Sequence, residues 1–401
     1  MTIRLDSSSS PRVRGVNNFT KNFFPLKRQY VREAGSPCRQ PRCPQPYSAT
    51  RPIHRTRRRR TATMNTALPA SLSAAGRTAS PAGYCPFPIT TDARRFGLET
   101  SSLMLRSGPV AVRHGRRTGG DTATILLHGA AGSWSTWTPL LRAADLRTTG
   151  LRTTGLRGTD ASDGASLSDL IIPDLPGWGD TPLPNDENAL TIEAMAALVA
   201  EIARALGYSR WVVIGHSMGG FIALELASAE VRATRFVGLV SATTFSVVES
   251  VRHPFARFAL LPGYTTLLQV MRALSLAGPA GTALVRGLGR ASLLRPLVGP
   301  LFSRPRRIGS SVVAALGAEA RPRAFALASA RAGEYDPEQA WTRIRCPVRA
   351  QQGDRDVFVA DSDAPRLGAV IVDFESRTVG DTGHFGHIER PEETLRLLAG
   401  R

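Results

Sequence analysis

The sequence predicts an α/β fold: a mostly parallel sheet with helices on both faces. From about residue 97 onward, short apolar runs alternate with longer stretches at helical spacing, the pattern of strand-helix-strand units. Two short runs at 102–106 and 109–113 precede them and read as a leading hairpin. Apolar residues make up 42% of the chain, yet no run approaches the roughly 18 apolar residues of a membrane span. A globular chain is expected, and 401 residues are enough for one large domain with an insertion.

The elements follow in order. Residues 122–127 form an apolar strand that ends at His128, and 134–144 read as a helix. The next strand is 170–173, followed by a helix over 192–206. Residues 211–214 form a wholly apolar strand and 218–229 a helix, with another strand at 236–240. After a long interval come strands at 348–351 and 370–374. A closing helix starts at Pro391, whose fixed φ suits a first helical turn. The segment Leu146-Arg147-Thr148-Thr149-Gly150 recurs as Leu151 to Gly155. This tandem duplication is expected in a loop at the strands' N-terminal edge, where insertions are cheap and ligands do not bind.

Charge locates the ends of the fold. The net charge is +19, and residues 1–63 alone contribute +13. Residues 1–85 are rich in Ser, Pro and Arg, poor in acids and without periodicity, so they read as a disordered basic tail. The tail has two readings: an organellar targeting segment, or sequence upstream of a true start at Met64. A cytoplasmic protein is otherwise expected. With 49 Arg beside only Lys21 and Lys27, a coding bias accounts for part of the basic excess. No nucleic-acid-binding motif accompanies the run Arg57 to Arg60, so no nucleic-acid partner is expected. The four cysteines show neither metal spacing nor a disulfide framework.

The chemistry is carried by Gly215-His216-Ser217-Met218-Gly219, set between the apolar strand and the following helix. A G-x-S-x-G pentapeptide in that setting makes a strained turn that presents the serine hydroxyl at the sheet edge. A serine alcohol needs a base to take its proton and a third group to orient the base. Downstream lie Gln352-Gly353-Asp354-Arg355-Asp356 and Gly383-His384-Phe385-Gly386-His387, the latter just before Glu389-Arg390-Pro391.

These motifs resemble the α/β-hydrolase fold superfamily from about residue 97 to the end. The resemblance implies a triad of Ser217, Asp356 and His384, with Asp354 and His387 as rivals for the acid and the base. It implies an oxyanion hole from the backbone N–H groups of Ala130 and Met218, the first within His128-Gly129-Ala130-Ala131-Gly132. It also matches Asp174-Leu175-Pro176-Gly177-Trp178-Gly179-Asp180-Thr181 to the family's D-x-P-G-x-G-x-S loop, with Thr181 in place of serine. The domain reading is then a core over 86–243 and 341–401, with a helical cap over 244–340 inserted after the sixth strand. Haloalkane dehalogenases and epoxide hydrolases of this fold use an aspartate nucleophile, so serine at 217 argues against both.

The expected function is hydrolysis of a carboxylic ester or thioester of a small hydrophobic molecule, with no metal or organic cofactor. A cofactor-free perhydrolase or haloperoxidase, a carbon-carbon bond hydrolase, and a receptor-like binder are the alternatives. The cap segment 244–333 holds 12 Arg against Glu249 and Glu319, and Leu267, Val270, Met271 and Leu274 recur at helical spacing. Apolar residues beside arginines raise the expectation of peripheral contact with an anionic membrane surface. Co-sedimentation should then be stronger with anionic than with neutral liposomes, and equal binding to both would contradict that expectation.

Overall fold

The computed structural model describes residues 83–398, apart from 154–166, 188–189, 257 and 291–292. Most of the basic tail, with its targeting and start-site readings, lies outside the described residues. Tyr84, at its end, and Ile89, just beyond it, are buried against residues of the segment 244–340.

Among the described residues, eight strands form one sheet. In chain order they are β1 (Glu99–Leu105), β2 (Gly108–His114), β3 (Thr122–Leu127), β4 (Leu170–Pro173), β5 (Arg210–His216), β6 (Thr234–Val240), β7 (Val348–Gly353) and β8 (Phe374–Val379). Their spatial order is β1-β2-β4-β3-β5-β6-β7-β8, antiparallel across β1, β2 and β4 and parallel from there on. The central strands are buried on both faces. Ala123, Ile125, Leu126, Leu127, Val213 and Ile214 are shut off from solvent, as covering helices on both sides of a parallel sheet require.

Between the core strands run α1 (Thr138–Thr153), α2 (Ile192–Ala205) and α3 (Met218–Ala229). Thr191 caps α2 by accepting the Ala194 N–H at 3.1 Å. Helix α3 is buried almost all round, because it packs on β5 and β6 beneath α2. Between β6 and β7 the chain is helical: α4 (Phe245–Arg252), α5 (Pro262–Leu276), α6 (Gly278–Arg290), α7 (Arg295–Val298), α8 (Ser310–Ala318), α9 (Pro322–Glu334) and α10 (Pro337–Trp341). Helix α11 (Asp363–Val370) precedes β8, and α12 (Gly386–Glu389) and α13 (Pro391–Leu398) close the chain.

Two local expectations are corrected. The last strand is Phe374–Val379, whereas 370–374 was expected: Val370 ends α11 and Val372 is 89% exposed. A strand at the sheet's edge pairs only with β7 and buries little, so its residues lack an apolar signature. The run Val370-Ile371-Val372 carries one instead, because Ile371 is buried in the core and Val370 packs against it where the chain leaves α11. The duplicated segment also differs, because α1 continues through Gly150 to Thr153. The first copy and the first three residues of the second are thus helical where a loop was expected, and the duplication from residue 154 on lies outside the described residues.

Neighbours β4 and β5 lie on opposite sides of β3. The chain changes direction across the sheet there, and the loops after β3 and β5 diverge at the carboxyl ends of those strands. That crevice is where ligands bind in open α/β sheets.

Candidate active site

Ser217 sits between the end of β5 and the first turn of α3 with φ 52° and ψ −121°. A non-glycine residue held there costs on the order of 1–3 kcal/mol and persists only where its surroundings enforce it. The enforcing contacts are visible. The Ser217 N–H donates to Val240 O at 3.1 Å, and its carbonyl accepts from Gly220 N at 2.9 Å. The flanking glycines permit the close approach: a Cβ on Gly215 would stand 2.2 Å from Gly219 O, and one on Gly219 would stand 2.2 Å from Leu127 O. Helix α3 can therefore begin directly against β3.

The loop after β3 brings Ala130 and Ala131 to the same cavity that Ser217 and Met218 line. Among the described residues, no acceptor takes the N–H of Ala130 or Met218, so both donors are available to a ligand. The Met218 N–H also lies at the positive end of α3. His128 holds this loop. Its Nε2 accepts the Leu175 N–H at 2.9 Å and its Nδ1 lies 2.8 Å from Gly129 O, a pattern that the neutral ring with its proton on Nδ1 satisfies. Burial pushes the His128 pKa down and favours that neutral form.

The Asp174-to-Thr181 loop braces the arrangement. Asp174 accepts the Trp134 N–H at 2.9 Å and forms a buried ion pair with Arg113. Thr181 Oγ1 accepts the Ala111 N–H at 2.9 Å, so the threonine supplies the oxygen that a serine would.

His384, which follows β8, lines the same cavity as Ser217. Its Nδ1 is 3.0 Å and 3.1 Å from the two oxygens of Asp356, and both side chains are buried. The Phe358 N–H donates to Asp356 Oδ1 at 2.8 Å, fixing the carboxylate behind the ring. The structure thus brings Asp356, and not Asp354, to His384. Asp354 is exposed and accepts the Thr382 N–H at 3.0 Å, and that bond lowers its pKa. His387 is separated from this role as well. It is wholly buried against Trp137 and His216, and neither of its ring nitrogens has a partner among the described residues. Desolvation brings its pKa down to about 3, so it stays uncharged.

Two residues with no role assigned from the sequence position the histidine. His216 Nε2 lies 3.0 Å from the His384 carbonyl, so the residue beside the serine is tied to the backbone of the histidine. Burial, with its histidine neighbours, holds the His216 pKa well below its usual value. The neutral ring donates through Nε2. Glu389, wholly buried, accepts from Gly383 N at 2.9 Å, Ser303 N at 2.9 Å and Tyr84 Oη at 2.7 Å. Its place five residues after His384, directly before Arg390-Pro391, was the available signal.

The cavity holds about 450 Å³ and is lined mainly by apolar side chains from α5, α7, α8 and α9. Leu267, Val270 and Met271 of the expected stripe face it. Val270, Leu297 and Val357 also reach solvent, at 40%, 48% and 37% exposure, and form an apolar rim. Among the described residues, no group of three or more His, Cys, Asp or Glu could hold a metal ion. Among them, too, no helix is long and apolar enough to cross a membrane.

The model of the alpha/beta hydrolase family matches residues 124–397. Epoxide hydrolase 4 of Mus musculus is 28% identical over 108 residues, which is 27% of this chain and 24% of that protein. The chain thus matches about a quarter of that relative's length. Among solved structures, the epoxide hydrolase CorEH aligns with a TM-score of 0.54 at 19% identity, covering 74% of this chain and 96% of that one. A serine hydrolase from the polyaromatic hydrocarbon-degrading bacterium Cycloclasticus zankles aligns at 0.52 with 16% identity, covering 76% and 97%. The family match spans more than half of the chain: it belongs to the alpha/beta hydrolase family.

Proposed function

We propose that this alpha/beta hydrolase cleaves a carboxylic ester or thioester of a small hydrophobic molecule by two-step acyl transfer through Ser217. One observation carries the reading: a single apolar cavity is lined by Ser217, His384, Ala130 and Met218, with Asp356 3.0 Å behind the histidine. In this reading His384 Nε2 takes the serine proton as Oγ attacks the carbonyl carbon. Asp356 accepts a hydrogen bond from the Nδ1–H, which stays on the ring, and stabilises the imidazolium. The Ala130 and Met218 N–H groups receive the developing oxyanion, preorganised and with nothing to release first. The proton then passes from His384 to the leaving alcohol or thiol. A water activated by the same histidine hydrolyses the acyl-enzyme and returns the proton to Ser217.

Two of the relatives above are epoxide hydrolases, yet at this identity the likeness to CorEH speaks for fold alone. Ring opening through an ester intermediate needs a carboxylate nucleophile, and position 217 carries a hydroxyl.

The lining gives the substrate its apolar character. Each methylene moved from water into the cavity contributes about 0.8 kcal/mol. In a series of p-nitrophenyl acetate, butyrate, octanoate and palmitate, kcat/KM should rise at least roughly a hundredfold from acetate to octanoate. It should then fall or level off at palmitate as the cavity fills. A series in which acetate is the best substrate would contradict the reading.

A further inference from the structure

Besides the groups assigned to bond cleavage, the polar side chains of Thr243, Tyr264, Thr266 and Ser329 line the cavity, and two of them are paired with each other. Tyr264 on α5 and Ser329 on α9 both line it, and their hydroxyls are 3.0 Å apart. Their residues are only 5% and 7% exposed. Tyr264 is separated from His384 by a single ring. Its centroid lies 5.7 Å from that of Phe358, which in turn lies 5.0 Å from that of His384.

Counting protons makes the pair informative. Two hydroxyls carry two donor protons, and the bond between them uses one. Burial pushes the Tyr264 pKa up to about 12, so the phenol keeps its proton at neutral pH. A serine within a helix can spend its proton on the carbonyl four residues earlier, as Thr394 does toward Arg390 O at 3.3 Å. Among the described residues, neither Ser329 nor Tyr264 has any acceptor besides the other. One O–H donor facing the cavity is therefore left without a protein acceptor among the described residues, so what fills the cavity must supply one, and leaving that donor unpaired is costly.

We infer that the Tyr264–Ser329 pair is a second binding point, which receives a hydrogen-bond-accepting oxygen of the substrate, a ketone or similar carbonyl, remote from the scissile ester. The inference rests on the acyl-transfer reading above and narrows it: the preferred acyl group is an oxygenated chain, not a plain alkyl chain. A site with a donor to satisfy rejects the analogue that lacks the oxygen, because binding that analogue leaves the donor buried and unpaired. The position of Tyr264, one ring beyond the histidine, places this oxygen several bonds from the scissile carbonyl.

The test compares p-nitrophenyl octanoate with its keto-octanoate isomers, the ketone being moved along the chain. In the wild type at least one keto isomer should exceed octanoate in kcat/KM by about tenfold or more. In the double variant Tyr264→Phe/Ser329→Ala that ratio should fall to near unity, and the two single variants show which hydroxyl delivers the proton. A loss of fold stability alone would lower both rates together and leave the ratio intact. Octanoate hydrolysed as well as every keto isomer, or a preference that survives in the double variant, overturns the inference while leaving ester hydrolysis standing. If no ester is cleaved, the acyl-transfer reading fails, and thermal shifts of the Ser217→Ala variant with the free acids decide the binding question. A larger shift with a keto acid than with octanoic acid, lost when the double substitution is added, supports the site. Equal shifts overturn it.

Discussion

Ser217→Ala is expected to lower kcat on the best ester by on the order of a millionfold, the scale seen when a serine protease loses its nucleophile. The loss is that large because the other members of the arrangement act through the serine oxygen. Without it, His384 has no proton to accept. The donors at Ala130 and Met218 would remain and could still polarise a bound carbonyl, so a small residual rate above the uncatalysed one is expected. The variant should stay folded. Ser217 is held by backbone hydrogen bonds to Val240 and Gly220, which alanine keeps. An unchanged circular dichroism spectrum beside the lost activity separates chemistry from unfolding, and near-wild-type turnover would contradict the assignment.

Asp356→Asn should cost about four orders of magnitude in kcat, as the same change does in a serine protease triad. The asparagine oxygen can still accept the Phe358 N–H, now 2.8 Å from Asp356 Oδ1, so the turn after β7 should survive. Its amide group, however, would turn a donor toward His384 Nδ1. That favours the tautomer with the proton on Nε2, where the ring cannot accept from the serine. Asp354→Asn keeps an oxygen for the Thr382 N–H and lies apart from the histidine, so a loss of no more than a few-fold is expected. Steady-state kinetics of the two variants on one ester decides between them. The reverse ranking would transfer the orienting role to Asp354.

The parts of the fold that could be read from the sequence are those whose side chains are buried together locally. Strands β3 and β4 and helix α3 follow from apolar runs between turn residues. Strand β8 failed that test because an edge strand is mostly exposed, and α1 outran its expected end because its arginines and threonines carry no apolar period. Ser217, Asp356 and His384 could be named as candidates because each stands in a short motif whose spacing is itself structural. The contacts that hold His384 in place could not. The bond from His216 to its carbonyl joins residues 168 positions apart, and nothing in either local sequence marks it. The spare hydroxyl proton of Tyr264 and Ser329 emerges only when α5 and α9 pack against each other.

The central claim is that Ser217 is a nucleophile activated by His384 at the floor of an apolar cavity. Its most direct test is labelling of the folded protein with a fluorophosphonate, followed by peptide mapping. A single adduct on Ser217, absent in Ser217→Ala and strongly slowed in His384→Ala, is the predicted result. Folded protein that takes no label at Ser217, or labels equally well without His384, would contradict it.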